Sequence, residues 1–377
     1  MTMLALSTLL LAPIVISCLY WIATSLMMVR FFRDRPREGS GWLPAVSLIK
    51  PVCGVEKNLY ENLSTACRQT YPDYEVIFSV QDSNDPALPL LERIRDENSS
   101  VPVRIVVDGA SAGPNGRLSN ILNATSHATG QVLVYSDSDM HLEPVYLRTI
   151  VAPLADPCVG VACTLYRAQG ANNLFEALEL LSLNTDFVPA MVFATETGVA
   201  LACPGASQAI RRETLTRIGG LAPMAYTLVE DLELGRAVVA AGLTIAFAPH
   251  VAVTGVDLPR ASDWWRHQVY WEQNTRVANP VGYFFTWLVR GIPFAGLYVL
   301  SGGAGGWLVL AVTLAVRLCT TAVTSSLLGD REGIRRSWLL PLRDTAGLFV
   351  WAASFIGRKV HWRGRVFVLS GNGMIEV

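Results

Sequence analysis

Short apolar runs alternate with amphipathic stretches along residues 43–250, and this alternation predicts strands separated by helices. The apolar runs lie at residues 45–49, 75–80, 103–107 and 132–135, spaced by roughly 25 to 30 residues, the length of a strand–helix–strand unit. Segments between them, such as 56–68 and 87–95, carry apolar residues at helical spacing. The pattern therefore predicts an α/β domain with a mostly parallel sheet.

The N-terminal residues 1–29 contain no charged side chain, and they exceed the about 20 residues that one helical membrane span requires. Four arginines follow at once, at positions 30, 33, 35 and 37. A cleaved signal peptide would need a positive first region, a shorter apolar core and a small-residue cleavage site, and the segment matches these poorly. The positive-inside rule predicts an uncleaved transmembrane anchor with its C-terminal end in the cytoplasm.

The chain becomes apolar again after Pro280. Residues 283–301 and 307–328 are each long enough to span a membrane, and the glycine-rich residues 302–306 supply a turn between them. We therefore predict a transmembrane hairpin over 281–328 and a basic cytoplasmic or interfacial region over 329–377. Within that region, residues 345–356 are too short to span and are predicted to be interfacial or re-entrant.

Composition excludes several classes of protein. With 51% hydrophobic and 16% charged residues among 377, the chain is too apolar for an ordinary soluble enzyme, and 30 basic against 31 acidic side chains give no net field toward nucleic acid. The seven cysteines include no Cys-x-x-Cys pair, which argues against zinc, and reduced thiols fit a cytoplasmic domain. Arg290 and Arg317 interrupt the C-terminal apolar runs and are predicted to snorkel or to face protein.

Polar residues follow three of the four predicted strands. Lys50 follows the first, Asp82 the second, and Asp137 and Asp139 the fourth. Ligands of open α/β sheets bind beyond the carboxyl ends of the strands. An Asp-Ser-Asp sequence at that edge is suited to Mg²⁺ or Mn²⁺ shared with a diphosphate, although it is also good turn chemistry. Asp82 is either a simple loop acid or a ligand for nucleoside hydroxyls or a base edge.

Two predicted helix starts carry further candidates. Glu230 and Asp231 lie where acids favour the first helical turn, and Asp231 is also placed to act as a general base toward an acceptor hydroxyl. Arg117 follows Gly116 at the start of another helix, which either is a plain helix start or presents backbone N–H groups and a cation to phosphate.

Residues 261–280 are rich in tryptophan and tyrosine just before the predicted hairpin. These residue types prefer the headgroup zone of a bilayer, so the segment is predicted to be interfacial. A lipid acceptor would be met at the same depth, and the interfacial and functional interpretations are therefore compatible.

Taken in order, these motifs resemble the ceramide glucosyltransferase-like family of GT-A glycosyltransferases (families 2 and 21), and within it the bacterial hopanoid biosynthesis-associated members. The resembling residues are 48–59, 80–82, 119–120, 136–139, 151–154, 217–220, 230–231, 267–271 and 360–365. The match runs nearly end to end. The Lys-Pro-Val-Cys-Gly sequence at 50–54 and the Trp-Arg-Gly sequence at 362–364 are its most specific pieces.

The resemblance implies a GT-A nucleotide-diphospho-sugar transferase fold, with a Rossmann-like cytoplasmic domain at residues 40–260 and membrane-spanning helices at both ends. It implies a UDP-sugar donor, a divalent metal (Mg²⁺ or Mn²⁺) and inverting transfer to a lipid hydroxyl of hopanoid or ceramide type. It also implies a multi-pass protein of the bacterial inner membrane, with no nucleic-acid partner.

The resemblance also implies roles for particular residues. It assigns catalysis to Asp231 with Glu230, and the metal to Asp139 and Asp137. The nucleotide-sugar is assigned to Lys50, Pro51, Asp82, Arg117, Asp137 and Asp139, and the acceptor or diphosphate side to His267, Gln268, Tyr270 and Trp271. Tyr270 stands where the family has an arginine, and a neutral phenol does not replace that cation.

Two alternatives stay open. The same transferase fold would also suit a polyprenyl phosphate or diacylglycerol acceptor. The tyrosine at position 270 also allows a catalytically silent membrane subunit that binds nucleotide-sugars or lipids.

Overall fold

The computed structural model describes residues 3–33, 41–357, 359–362, 365–369 and 375–376. Arg35 and Arg37 of the predicted basic flank, and residues 363–364 of the Trp-Arg-Gly motif, lie outside the described residues. The chain forms two compact units. The helical unit comprises Met1–Asp34, Arg167–Ala200 and Val256–Arg365, and the sheet unit comprises Arg35–Tyr166, Leu201–Gly255 and Val366–Val377.

The elements are numbered in chain order. The strands are β1 (Val46–Pro51), β2 (Tyr74–Val80), β3 (Val103–Val107), β4 (Val132–Ser136), β5 (Met140–His141), β6 (Val159–Gln169), β7 (Ser207–Arg211), β8 (Thr244–Gly255), β9 (Lys359–Trp362), β10 (Arg365–Leu369) and β11 (Ile375–Glu376). The α-helices are α1 (Met3–Arg33), α2 (Leu59–Ala66), α3 (Leu88–Glu97), α4 (Gly116–Thr125), α5 (Tyr146–Val151), α6 (Leu174–Ser182), α7 (Val188–Thr197), α8 (Arg212–Arg217), α9 (Glu230–Ala240), α10 (Ala261–Ala278), α11 (Pro280–Phe284), α12 (Gly291–Leu300), α13 (Gly306–Leu327), α14 (Arg331–Arg336) and α15 (Leu340–Ala353).

The first half of the main sheet confirms the predicted strand–helix alternation. The four predicted strands are β1 to β4, and they lie in the order β3-β2-β1-β4 with parallel neighbours. Every residue of β1 and β4 is buried. Strands covered on both faces read as continuous apolar runs, which is why the sequence identified them.

The second half of the sheet is antiparallel, so the sheet is mixed. β7 pairs antiparallel with β4 and β6, and β5 pairs antiparallel with β8, in the full order β3-β2-β1-β4-β7-β6-β8-β5. The mostly parallel arrangement predicted from the sequence applies to the first half. The sequence Ser-Gln-Ala-Ile-Arg of β7 is too polar to be recognised as a buried strand, although all five residues are buried.

Three helical segments of the helical unit are long and apolar enough to cross a membrane, as judged by length and composition: Ser7–Arg33, Leu174–Thr197 and Gly306–Leu327. The first and third correspond to the predicted anchor and the second half of the predicted hairpin. The second was not predicted as a span, because Glu176, Glu179 and Asp186 interrupt its apolar sequence.

The first half of the predicted hairpin is not one straight helix. Pro280–Val289 and Gly291–Leu300 meet at Arg290 with a bend of 48°. Ser17 Oγ donates a hydrogen bond to the Val289 carbonyl at 2.7 Å and accepts one from Gly291 N at 2.9 Å. Trp21 Nε1 also donates to that carbonyl, at 2.8 Å. The break is stable in an apolar environment because α1 supplies partners for the freed backbone groups.

The arginines in the apolar runs face protein. Arg317 Nη2 lies 2.5 Å from Asp186 Oδ1, and Arg317 Nε lies 3.3 Å from Asp344 Oδ2. Asp186 belongs to a π-helical turn at Leu183–Phe187. Arg290 lies 3.1 Å from Glu272 and 3.5 Å from Asp186. All of these contacts lie within the helical unit, and both arginines are paired with carboxylates.

Candidate active site

The candidate site lies in the sheet unit, where the carboxyl ends of β1 and β4 meet. The buried Lys50 Nζ donates hydrogen bonds to the backbone carbonyls of Asp137 (2.9 Å) and Met140 (3.0 Å) and to Ser136 Oγ (3.3 Å). Burial lowers the pKa of Lys50 to about 8. Lys50 thus fixes the loop that carries the Asp-Ser-Asp motif, and Pro51 ends β1 beside it, paired with Ser79 of β2.

Three carboxylates gather around that loop. Asp139 Oδ2 accepts a hydrogen bond from Thr254 Oγ1 at 2.9 Å, and Glu56 accepts one from Ser138 Oγ at 3.0 Å. Burial, together with the negative charges of Asp137 and Glu56, raises the pKa of Asp139 to about 6. This local excess of negative charge is what a divalent cation offsets.

The donor set fits a hard cation with few protein ligands. Asp137 and Asp139 offer carboxylate oxygens, which Mg²⁺ and Mn²⁺ accept, and such ions complete their shells with water and substrate phosphates. Within the described ranges, no group of three or more His, Cys, Asp or Glu residues forms a self-sufficient metal site. A metal here would therefore depend on ligands from outside the protein.

Arg117 links the Asp-Ser-Asp loop to Glu230 at the start of α9. Its Nε lies 2.6 Å from Asp137 Oδ1, its Nη1 lies 2.7 Å from Glu230 Oε1, and its Nη2 donates to the Gly205 carbonyl at 2.7 Å. The residue is placed by the start of α4, which Asn115 caps by accepting a hydrogen bond from Leu118 N. The same Asn115 donates to the second oxygen of Glu230 at 2.9 Å.

Asp231 lies beside Glu230 in the first turn of α9, as predicted. Burial and the neighbouring negative charge of Glu230 together raise the pKa of Asp231 to about 7, and the charge of Arg117 opposes the shift. Gly205 packs closely on this carboxylate, since a Cβ at Gly205 would lie 3.0 Å from Asp231 Oδ2. A carboxylate with a pKa near neutrality is suited to take and release a proton.

Asp82 follows β2 and is exposed to solvent. Its carboxylate accepts a hydrogen bond from Asn84 N at 2.8 Å, which forms a local turn. Among the described residues, no hydrogen bond joins Asp82 to the group around Arg117. Its role in nucleotide binding stays a prediction.

The remaining candidates lie on α10 in the helical unit. Gln268 is buried and donates to Glu179 Oε2 at 2.7 Å, while His267 Nδ1 lies 3.0 Å from Glu179 Oε1. The Trp271 ring packs against Phe187 with centroids 5.2 Å apart, and Tyr270 is half-buried. The acceptor role of these residues stays a prediction.

The sequence did not identify several residues that shape these sites. Glu56 lies inside the resembling segment 48–59 but was not assigned a role, and Thr254 and Asn115 carry no recognisable motif. Glu179 did give a signal, since a carboxylate in an apolar helix commonly marks a functional or paired position.

Comparison with known proteins identifies the family of the chain. The family model described as glycosyl transferase family 21 matches residues 9–375. Ceramide glucosyltransferase 1 of Caenorhabditis elegans is 22% identical over 375 residues, covering 96% of this chain and 80% of that protein. Ceramide glucosyltransferase 3 of the same organism is 22% identical over 380 residues, covering 95% and 80%.

A solved structure shows the same architecture. The mannosyltransferase PcManGT from Pyrobaculum calidifontis, in complex with GDP-Man and Mn²⁺, has a TM-score of 0.56 at 18% identity, covering 94% of this chain and 99% of that one. This likeness confirms the GT-A-like α/β fold. Because the family model extends over nearly the whole sequence, the chain belongs to glycosyl transferase family 21.

Proposed function

We propose that this chain transfers a sugar from a UDP-sugar to a hydroxyl group of a membrane lipid. The observation that carries the proposal is that Arg117 bridges two clusters of acidic side chains, through Asp137 in one and Glu230 in the other. One lies at the end of β4 and is suited to a cation and a diphosphate, and the other contains Asp231, whose pKa is raised to about 7. Donor activation and acceptor deprotonation require these two kinds of group.

On the donor side, Asp137 and Asp139 would hold a divalent metal, which when bound stabilises the developing charge of the leaving diphosphate. PcManGT contains GDP-Man and Mn²⁺, which supports a metal-dependent nucleotide-sugar site in this fold. Lys50 holds the aspartate loop in place, and Arg117 supplies a guanidinium to phosphate oxygens. Pro51 and Asp82 border the nucleotide in this proposal.

On the acceptor side, Asp231 takes the proton from the lipid hydroxyl. The hydroxyl oxygen bonds to the anomeric carbon as the bond from that carbon to the diphosphate oxygen breaks, so the configuration inverts in one displacement. Burial and the charge of Glu230 raise the pKa of Asp231 to about 7. His267, Gln268, Tyr270 and Trp271 are proposed to contact the acceptor.

The relatives named ceramide glucosyltransferase support a ceramide-type acceptor and glucose as one candidate sugar. The sequence resemblance favours a hopanoid, and polyprenyl phosphate or diacylglycerol are alternatives. We also propose that the apolar helices anchor the protein in a bacterial inner membrane with the sheet unit in the cytoplasm.

The first test replaces the proposed base. Asp231→Asn should lower the turnover rate at least about a hundredfold, since general-base catalysis contributes roughly 10² to 10⁴ in rate, while UDP binding in the presence of Mn²⁺ is retained. Glu233→Gln is the matched control, because Glu233 lies in the same helical turn and pairs with Arg236. Turnover near wild type in Asp231→Asn would remove Asp231 from the mechanism.

A second test separates the enzyme from a silent binding subunit. Purified protein is incubated with labelled UDP-sugars and a total lipid extract, with and without Mn²⁺. A labelled glycolipid that requires metal and is lost in Asp139→Ala supports the enzyme, and mass spectrometry of that product names its sugar and its acceptor. Absence of product with every donor, despite UDP binding, would favour the silent subunit.

A further inference from the structure

We propose that Arg117 is an internal counter-ion that makes cation binding conditional on a nucleoside diphosphate. Without a ligand, the Arg117 guanidinium is paired with the Asp137 carboxylate. A divalent cation binds strongly only when diphosphate oxygens replace Asp137 as the hydrogen-bond acceptor of Arg117. The inference rests on the donor part of the proposed function and adds an order of events to it.

The geometry places Arg117 at the centre of an ion cluster. Its side chain is 16% exposed, and those of its partners Asp137 and Glu230 are 31% and 14% exposed. The planar guanidinium donates in three directions, to Asp137, to Glu230 and to the Gly205 carbonyl. Charge-assisted bonds of this length in a partly buried site are among the strong ones.

The contact with Asp137 competes with a metal. Asp137 Oδ1 lies 2.6 Å from Arg117 Nε, so a cation that approaches this oxygen meets a positive charge in bonding distance. A cation that binds this oxygen without a diphosphate therefore displaces Arg117 from one partner and gives it no other. That loss weakens the affinity of the empty site for the metal.

A diphosphate removes this penalty. When Arg117 leaves Asp137, Glu230 and the Gly205 carbonyl still hold two sides of the guanidinium. The freed N–H group would then be available to phosphate oxygens, which would replace the carboxylate as its acceptor. Cation and diphosphate consequently strengthen each other's binding by the same factor, as thermodynamic linkage requires.

The Arg117→Lys substitution separates two explanations for weak Mn²⁺ binding, the hydrogen-bonded bridge of Arg117 and the repulsion by its positive charge alone. Arg117→Lys keeps the positive charge, but one ammonium group lacks the planar fork that reaches three separate acceptors. The bridge to Asp137 should weaken, so Mn²⁺ alone should bind about tenfold more tightly, the equivalent of one charge-assisted hydrogen bond. The gain in Mn²⁺ affinity on adding UDP should shrink by a similar factor.

The experiment measures Mn²⁺ binding to the full-length, detergent-solubilised protein. Electron paramagnetic resonance of free Mn²⁺ is recorded with and without UDP for the wild type, Arg117→Lys and Arg117→Met. Arg212→Lys is the matched control, because the Arg212 guanidinium donates to the backbone carbonyls of Gly130 and Ala128. Thermal melting checks that each variant is folded.

The inference is supported if both Arg117 variants bind Mn²⁺ alone more tightly and lose coupling to UDP, while Arg212→Lys behaves as the wild type. Unchanged coupling in both Arg117 variants overturns it and leaves the proposed donor intact. A gain in Arg117→Met but not in Arg117→Lys reduces the effect to charge repulsion and also overturns the bridge. Wild-type protein that binds no Mn²⁺ even with UDP overturns the donor assignment and this inference together.

Discussion

At the scale of single residues, the pKa of Asp231 reflects two opposing neighbours. Burial and Glu230 raise the pKa of Asp231 to about 7, while Arg117 favours its ionised form. A base must be deprotonated to act, so the proposed activity should be lost as pH falls through about 7 and should reach its plateau above that value. The pH profile therefore reports on this one carboxyl group.

Glu230→Gln tests the origin of that profile. Removing the negative charge lowers the pKa of Asp231, so the rising limb of the activity profile should move to lower pH by up to about one unit. Initial rates measured across the neutral range give the midpoint of the limb. The control Glu233→Gln should leave the midpoint in place, and an unmoved limb in Glu230→Gln would exclude Glu230 as its cause.

Lys50 connects the end of β1 to the end of β4 through hydrogen bonds. Its predicted contact with the donor stays a prediction, and its three hydrogen bonds go to Ser136 at the end of β4 and to two carbonyls of the loop that follows. That loop carries the two aspartates proposed to hold the metal. The influence of Lys50 on donor binding is thus proposed to be indirect, through the positions of Asp137 and Asp139.

At the scale of elements, the approach to β4 depends on a glycine. A Cβ at Gly130 would lie 2.4 Å from Ser47 N and 2.6 Å from the Val46 carbonyl carbon, both backbone atoms of β1. Gly130 N also donates a hydrogen bond to Ser47 Oγ at 2.8 Å. The close contact brings β4 beside β1, the pairing that positions the Asp-Ser-Asp loop.

Gly130→Ala should accordingly destabilise the sheet unit by about 1 to 3 kcal/mol, the usual cost of overpacking against an unyielding backbone. The expected observation is a lower melting midpoint of the detergent-solubilised protein. Gly109→Ala is the control, since a Cβ there would meet only the Gln81 carbonyl oxygen at an ordinary 3.5 Å. Equal melting midpoints for the two variants would show that the β1 backbone shifts to accommodate the methyl group without a loss of stability.

At the scale of the whole molecule, the apolar helices favour association with a membrane. Three helical segments are long and apolar enough to cross a bilayer, and the described part of α13 and α1 exposes large side chains such as Leu19, Leu26, Trp307 and Leu308. Exposed apolar surface on this scale is unfavourable in water and favourable in lipid.

We therefore expect the protein to stay with the membrane pellet after both high-salt and alkaline carbonate washes. Salt removes proteins held by surface charge, and carbonate removes peripheral proteins, so a protein held by spanning helices resists both. Immunoblotting of pellet and supernatant is the measurement. Release by carbonate would contradict the transmembrane assignment, and release by salt alone would indicate electrostatic attachment.

The sequence by itself determined the strand–helix alternation, the starts of α4 and α9, the apolar N-terminal helix and the family. These features depend on local periodicity and on short motifs, which a linear pattern records directly. Tertiary structure alone decided that Arg117 bridges Asp137 and Glu230, the latter 113 residues away in the chain, and that a helix breaks at Arg290. It also decided the antiparallel half of the sheet and the raised pKa of Asp231. Such features arise from burial and from contacts between distant segments, and neither is encoded in the spacing of neighbouring residues.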